Sequence, residues 1–166
     1  SYPDLPMEDV YPRVPATNLP SVHIREIGSG RVVYFPWDID RTFWEVLAAD
    51  HLKLLRNAVE WATNEASPAA VTGPGILDVT VWRQTDSLTV HLVNLTNPMM
   101  MKGPIREIIP MVGQSARVRL PRGKRARAVH LLVSGASPRF QESGSFVEVG
   151  IPSIGLHEVL AIDLEN

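Results

Sequence analysis

The chain has 166 residues, 45% hydrophobic and 20% charged, an ordinary globular composition sufficient for one domain or two small ones. Its formal net charge of −2 provides no global field toward nucleic acid or an anionic membrane. The lack of cysteine excludes disulfides, thiolate metal sites and cysteine nucleophiles.

The first 20 residues hold five prolines, Pro3, Pro6, Pro12, Pro15 and Pro20. Proline at this density prevents a regular helix or a central strand, so an extended arm is expected. This opening has neither a basic start nor an apolar core of the kind found in secretion signals. No apolar run reaches the roughly 20 residues of a membrane span. Cytoplasmic and secreted locations both fit a chain without cysteine.

VHIREI (Val22 to Ile27) and RVVYFP (Arg31 to Pro36) flank Gly28-Ser29-Gly30, a hairpin signal. The second run is continuously apolar from Val32 to Phe35, which predicts a strand covered on both faces. Then comes PWDIDRTFWE, Pro36 to Glu45, followed by a helix predicted over about Asp50 to Asn64. In that helix Leu52, Leu55, Val59 and Ala62 follow helical spacing, and Leu54, Ala58 and Trp61 widen the stripe. Asp50 stands where an N-cap belongs.

ASPAAVTGPG, residues 66–75, reads as a linker, after which the hydrophobic period changes. ILDVTVWRQ, LTVHLVNL, ARVRL, RAVHLLVS, FVEVGI and HEVLAIDL all alternate, separated by turns without helical patterning. That argues for an antiparallel sandwich over 76–166, with Thr85-Asp86-Ser87 closing one hairpin and Pro121-Arg122-Gly123 another. Residues 1–65 form a small α/β segment. The long loop from Thr96 to Pro110 carries Met99, Met100 and Met101 together with Ile105, Ile108 and Ile109. Methionine adapts to irregular apolar surfaces, so the loop is expected to meet its own sandwich, the helical part or another subunit.

PWDIDRTFWE has two readings. In extended backbone Asp38 and Asp40 would share one face, roughly 6 to 7 Å apart, near the carboxyl separation of inverting glycosidases. On that reading Asp38, Asp40 and Glu45 are candidate catalytic groups, while Trp37, Arg41 and Trp44 are candidate ligand contacts. On the other reading Thr42 and Glu45 form a capping box at a helix start, an aspartate pairs with Arg41, and the aromatics fill core. The end of a buried strand leading into a helix is also where α/β folds place ligands.

Elsewhere the signals are weaker. His91, His130 and His157 lie on or beside predicted strands and would converge only if the fold brought them together. No HxH or HExxH pairing is present, so no metal is expected, and no motif calls for a cofactor. Ser134 and Ser153 sit in turn-like contexts without a GxSxG elbow. The run RGKRAR, Arg122 to Arg127, lacks interleaved aromatics. Trp37, Trp44 and Trp82 are the candidates for stacking on a sugar.

DLPMEDVYPR, GRVVYFPWDIDRTFWEVLAADHLKLLRNAVEWA, VHLVNLTNPMMMKGPIRE and HEVLAIDL resemble the C-terminal part of large bacterial glycoside-hydrolase-like proteins related to the family 42 β-galactosidases. That resemblance implies the end of a flavodoxin-like trimerisation domain, akin to class I amidotransferases, followed by a C-terminal β domain. It further implies a chain that starts inside a domain, and a sheet edge covered by the arm or by a second copy. A (β/α)8 barrel of roughly 250 residues does not fit in this length, so the family's barrel carboxylates carry over to no position here. The amidotransferase cysteine has no counterpart either. The expected function is therefore an accessory and self-associating region of a carbohydrate-active protein. A small free-standing glycosidase or esterase using Asp38 and Asp40, or a carbohydrate-binding module, are the alternatives.

Overall fold

The computed structural model describes residues 18–46, 48–96 and 103–166. The chain forms two compact units, Ser1–Ala66 and Ser67–Asn166. Most of the expected proline-rich arm lies outside the described residues, as do Met99, Met100 and Met101.

In the first unit β1 (His23–Ile27) and β2 (Gly30–Tyr34) pair antiparallel, with Ile27 opposite Gly30. Gly28 turns the chain at φ 59°, in the left-handed region that a two-residue hairpin requires. Two helices follow, α1 (Ile39–Val46) and α2 (Ala49–Thr63). The N-cap of α2 is Ala48, which provides no side-chain bond. Asp50 instead lies inside the first turn and pairs with Lys53 at 3.1 Å, correcting the expected cap; a carboxylate there still faces the positive helix end. At the other end Asn64 takes the left-handed conformation, and its N–H bonds to the Glu60 carbonyl. Arg31 on β2 donates from Nη1 to the Trp61 carbonyl and to Asn64 Oδ1, both at 3.1 Å. Its guanidinium also lies 5.3 Å from the centre of a Trp61 ring. One strand arginine thus closes the carboxyl end of the helix.

This unit has almost no core. Among its described residues only Ile39 is a buried hydrophobic. No residue of α2 is buried, and β1 is exposed along its whole length. β2 alternates between exposed and half-buried, so the described residues do not provide the expected coverage on both faces.

The second unit is a sandwich of two four-stranded antiparallel sheets. One has the order β4 (Leu77–Arg83), β5 (Ser87–Asn94), β10 (His157–Glu165), β7 (Arg125–Leu131). The other has the order β3 (Ala69–Thr72), β6 (Met111–Arg119), β9 (Phe146–Ile154), β8 (Phe140–Ser143). Alternation puts Leu88, Val90 and Leu92 of β5 inward, against Val147, Val149 and Ile151 of β9 in the same cluster. Each fully buried Leu, Ile or Val contributes about 1.5–3 kcal/mol.

Two sequence expectations are corrected here. The expected linker carries β3, whose Ala69–Thr72 pair with Val118–Ser115 of β6. Its shortness, between Pro68 and Gly73, hides it from a periodicity reading. Pro121-Arg122-Gly123 is not a hairpin, because the strands on either side belong to different sheets. It is an arch across the sandwich, turned by the Lys124 N–H bond to the Pro121 carbonyl and by Gly123 at φ 78°. The Thr85–Ser87 hairpin does form, with Arg83 opposite Leu88.

Candidate functional site

The opening segment places its residues on a helix start. The Asp38 carbonyl accepts from Thr42 N–H at 2.9 Å, and Asp40 lies in the first turn of α1. The extended spacing that would align the two carboxylates therefore does not apply, since helical positions two apart do not face each other. Both aspartates are exposed. Thr42 and Glu45 fall within α1, so the expected capping box gives way to an Arg41–Glu45 pair at 2.8 Å. The hydrogen bond from Arg41 to Glu45, and the charge of that carboxylate, hold the guanidinium above its ordinary pKa.

Trp37 is committed to packing. Its indole N–H donates to the Ser21 carbonyl at 2.9 Å, and its ring meets His51 edge-on at 5.5 Å. Trp44 is 62% exposed and faces solvent from α1. The segment gathers six candidate residues along one stretch of chain.

The histidines of the sandwich come together only in part. His91 on β5 and His157 on β10 stack at 5.6 Å with ring planes 20° apart. His130 on β7 stands elsewhere on the same sheet, with Nδ1 3.2 Å from Ser137 Oγ and Nε2 3.8 Å from Asp163 Oδ2. Among the described residues no three His, Asp or Glu side chains form a metal-binding group. The RGKRAR run is largely paired: Lys124 with Asp86, Arg125 with Glu142 and Arg127 with Asp163.

One end of the sandwich holds a depression of about 420 Å³, lined by Val133, Ser134, Ser153, Gly155, Leu156, His157 and Glu158. Both serines of the sequence reading thus meet His157 there, but among the described residues no hydrogen bond joins His157 to either. Glu158 is the unforeseen member. It is 2% exposed and accepts from the amides of Val133 (2.8 Å), Ser134 (3.1 Å) and Val159 (2.9 Å). Burial opposes its charge, but these donors outweigh burial and lower its pKa below the ordinary glutamate value. A carboxylate so engaged is a fixed anchor for the loop after β7. In the sequence HEVLAIDL it looks like one polar residue at a strand end, and nothing nearby in the chain marks its partners.

Asn94 does comparable work at the same end. Its Nδ2 donates to the carbonyls of Ile109 and Gly155, each at 2.8 Å, and its Oδ1 accepts from Thr96 N–H at 2.9 Å. It ties the two ends of the 95–110 loop to the β9–β10 turn.

No protein-family model matches the sequence, and no curated protein matches it. Among solved structures the chain is similar to an α-L-fucosidase isoenzyme 2 from Paenibacillus thiaminolyticus, with a TM-score of 0.66 at 19% sequence identity. The match covers 86% of this chain and 22% of the fucosidase chain. Ser67–Asn166 accounts for 100 of the 166 residues, so the likeness reaches beyond the sandwich into the first unit. It is a likeness of fold with a domain of a glycoside hydrolase. This chain spans less than a quarter of that enzyme's length.

Proposed function

We propose that this chain is an accessory and assembly region of a glycoside-hydrolase-like, carbohydrate-active protein, and not itself the catalyst. The observation that carries the reading is the first unit, whose described residues bury a single hydrophobic side chain, Ile39. Its hairpin leaves Ile24 at 65%, Val32 at 47% and Tyr34 at 59% exposure, and α2 leaves Leu52 at 50% and Val59 at 61%. An isolated two-stranded hairpin is marginal in water; Val32 and Tyr34 lie on one of its faces and Ile24 on the other, so each face exposes apolar side chains of the kind a partner covers. On this reading the unit is the edge of a larger, flavodoxin-like α/β layer, and a second copy of the chain covers its apolar faces. The fold likeness to a fraction of a much longer fucosidase supports a non-catalytic part. So does the exposure of Asp38 and Asp40 on a helix start.

Light scattering over a wide concentration range, combined with hydrogen exchange, tests the assembly role. The chain is expected to self-associate, with amides of 23–63 gaining protection as it does so. A strictly monomeric chain whose first unit is already well protected would remove the reading.

A further inference from the structure

Two histidines from distant parts of the sequence meet on the outward face of the β4–β5–β10–β7 sheet. Leu92 of β5 and Leu160 of β10 belong to the core cluster, so by strand alternation His91 and His157 point the other way. His157 pairs with Val93 and His91 with Val159, which makes the two histidines diagonal neighbours, a spacing that long side chains bridge. Their rings do so, with centres 5.6 Å apart and planes 20° from parallel.

The pair differs from the other histidines. His130 is engaged by Ser137 Oγ and Asp163 Oδ2, His51 packs edge-on against Trp37, and His23 meets Tyr34. Among the described residues neither His91 nor His157 makes a hydrogen bond or an ion pair, and each is half-buried. Their ring nitrogens are therefore uncommitted, and an imidazole nitrogen in that condition is a ligand for borderline divalent metals. Zinc holds an imidazole nitrogen at about 2.0–2.1 Å, which puts each ring centre about 3.2 Å from the ion and two centres about 5.2 Å apart at a tetrahedral angle. The 5.6 Å between these rings is within about 0.4 Å of that spacing. The outer torsion of a histidine side chain is broad enough to swing a nitrogen of each ring toward a shared point.

We propose that His91 and His157 chelate one divalent transition-metal ion of the zinc class, which joins β5 to β10. The pair supplies two ligands and water the remainder. His157 also lines the depression at the end of the sandwich, so solvent reaches the ion from that side. Magnesium and calcium prefer oxygen donors, and two imidazoles select against them. The ion binds the folded sheet in preference to the unfolded chain, where residues 91 and 157 are not held together, so binding stabilises the sandwich. Neither HxH nor HExxH spacing announces the site, because strand register assembles it. It rests on residues of the sandwich alone and stands independently of the assembly role.

The test follows the imidazole C–H signals of the full chain by NMR while zinc chloride is added up to millimolar concentration, with magnesium chloride as the control. Zinc is expected to shift or broaden the signals of His91 and His157 and to leave those of His23, His51 and His130 in place. It should also raise the melting temperature, an effect that His91→Gln and His157→Gln each weaken and His130→Gln preserves. Calorimetry should show one ion per chain, with affinity lowered at least about tenfold in either variant of the pair, since the chelate is reduced to a single ligand. Zinc that leaves the His91 and His157 signals unmoved overturns the proposal. So does a response that magnesium reproduces, or one that survives both substitutions.

Discussion

Gly73 and Gln114 occupy adjoining space so tightly that a β-carbon on residue 73 would overlap the Gln114 side-chain amide. That amide cannot swing aside freely, because its Nε2 donates to the Pro74 carbonyl at 2.9 Å and to the Val112 carbonyl at 3.3 Å. Gly73 also sits at φ 152°, a conformation that side chains rarely adopt. The contact seats the segment after β3 against β6.

Gly73→Ala is therefore expected to destabilise the sandwich by about 1–3 kcal/mol. At roughly 4–8 °C per kcal/mol for a domain of this size, the loss should show clearly in thermal unfolding. Adding Gln114→Ala should return part of it by vacating the space, so the two changes will be non-additive. If Gly73→Ala melts with the parent, the crowding is not real.

Glu158 makes the sandwich sensitive to acid. Its folded pKa lies below the unfolded value, so the unfolded chain binds the proton more readily and stability rises with pH through that window. The contribution is complete above the ordinary glutamate range and fades as pH falls through the depressed folded value. Glu158→Gln should remove this dependence and cost about 1.5–3 kcal/mol at neutral pH. Urea unfolding at several pH values, with parent and variant compared, reads both effects. Parallel pH profiles for the two proteins would refute the assignment.

Asn94→Ala would leave the carbonyls of Ile109 and Gly155 and the amide of Thr96 without their present partner. These groups are only partly buried, so water replaces part of the loss and each costs about 1 kcal/mol. The expected result is a lower melting temperature, with the largest rise in hydrogen exchange between residues 95 and 110. Exchange that rises equally throughout the sandwich would show that Asn94 is not a local tether.

Asp38→Ala with Asp40→Ala should leave any glycosidase or esterase turnover of the isolated chain unchanged. Both side chains are exposed at the start of α1, where losing a carboxylate costs about 0.3–2 kcal/mol through the helix end. Circular dichroism and a panel of nitrophenyl glycosides and esters provide the readout. A turnover that is present in the parent and lost in the variant would restore these residues as catalytic.

The alternating strands were legible because one face of each meets a dry core. LTVHLVNL alternates inward and outward without a break, and HEVLAIDL carries its apolar residues into the centre of a sheet. β3 and β8 escaped notice because each has four residues and lies at a sheet edge, where one neighbour suffices and little patterning is needed. The PWDIDRTFWE segment misled for a related reason. Capping motifs and catalytic carboxylates use the same residue types, and only the backbone distinguishes Thr42 as a helix-interior residue. Glu158 was out of reach, since its partners Val133 and Ser134 follow a strand distant in the chain that pairs with β10.

The place of β10 in its sheet has a consequence for biosynthesis. Residues 157–165 lie between β5 and β7 and hydrogen-bond to both. While a ribosome is still adding them, β4 and β5 have no neighbour on their inner side and β7 has no partner in that sheet. The nascent β4–β5–β10–β7 sheet must therefore wait, without the bonds that join β5 to β7, until its central strand is released. Chains dominated by such long-range pairing fold slowly and are exposed to aggregation while incomplete. A stop codon before His157 would yield two orphaned fragments of a sheet instead of a shortened domain.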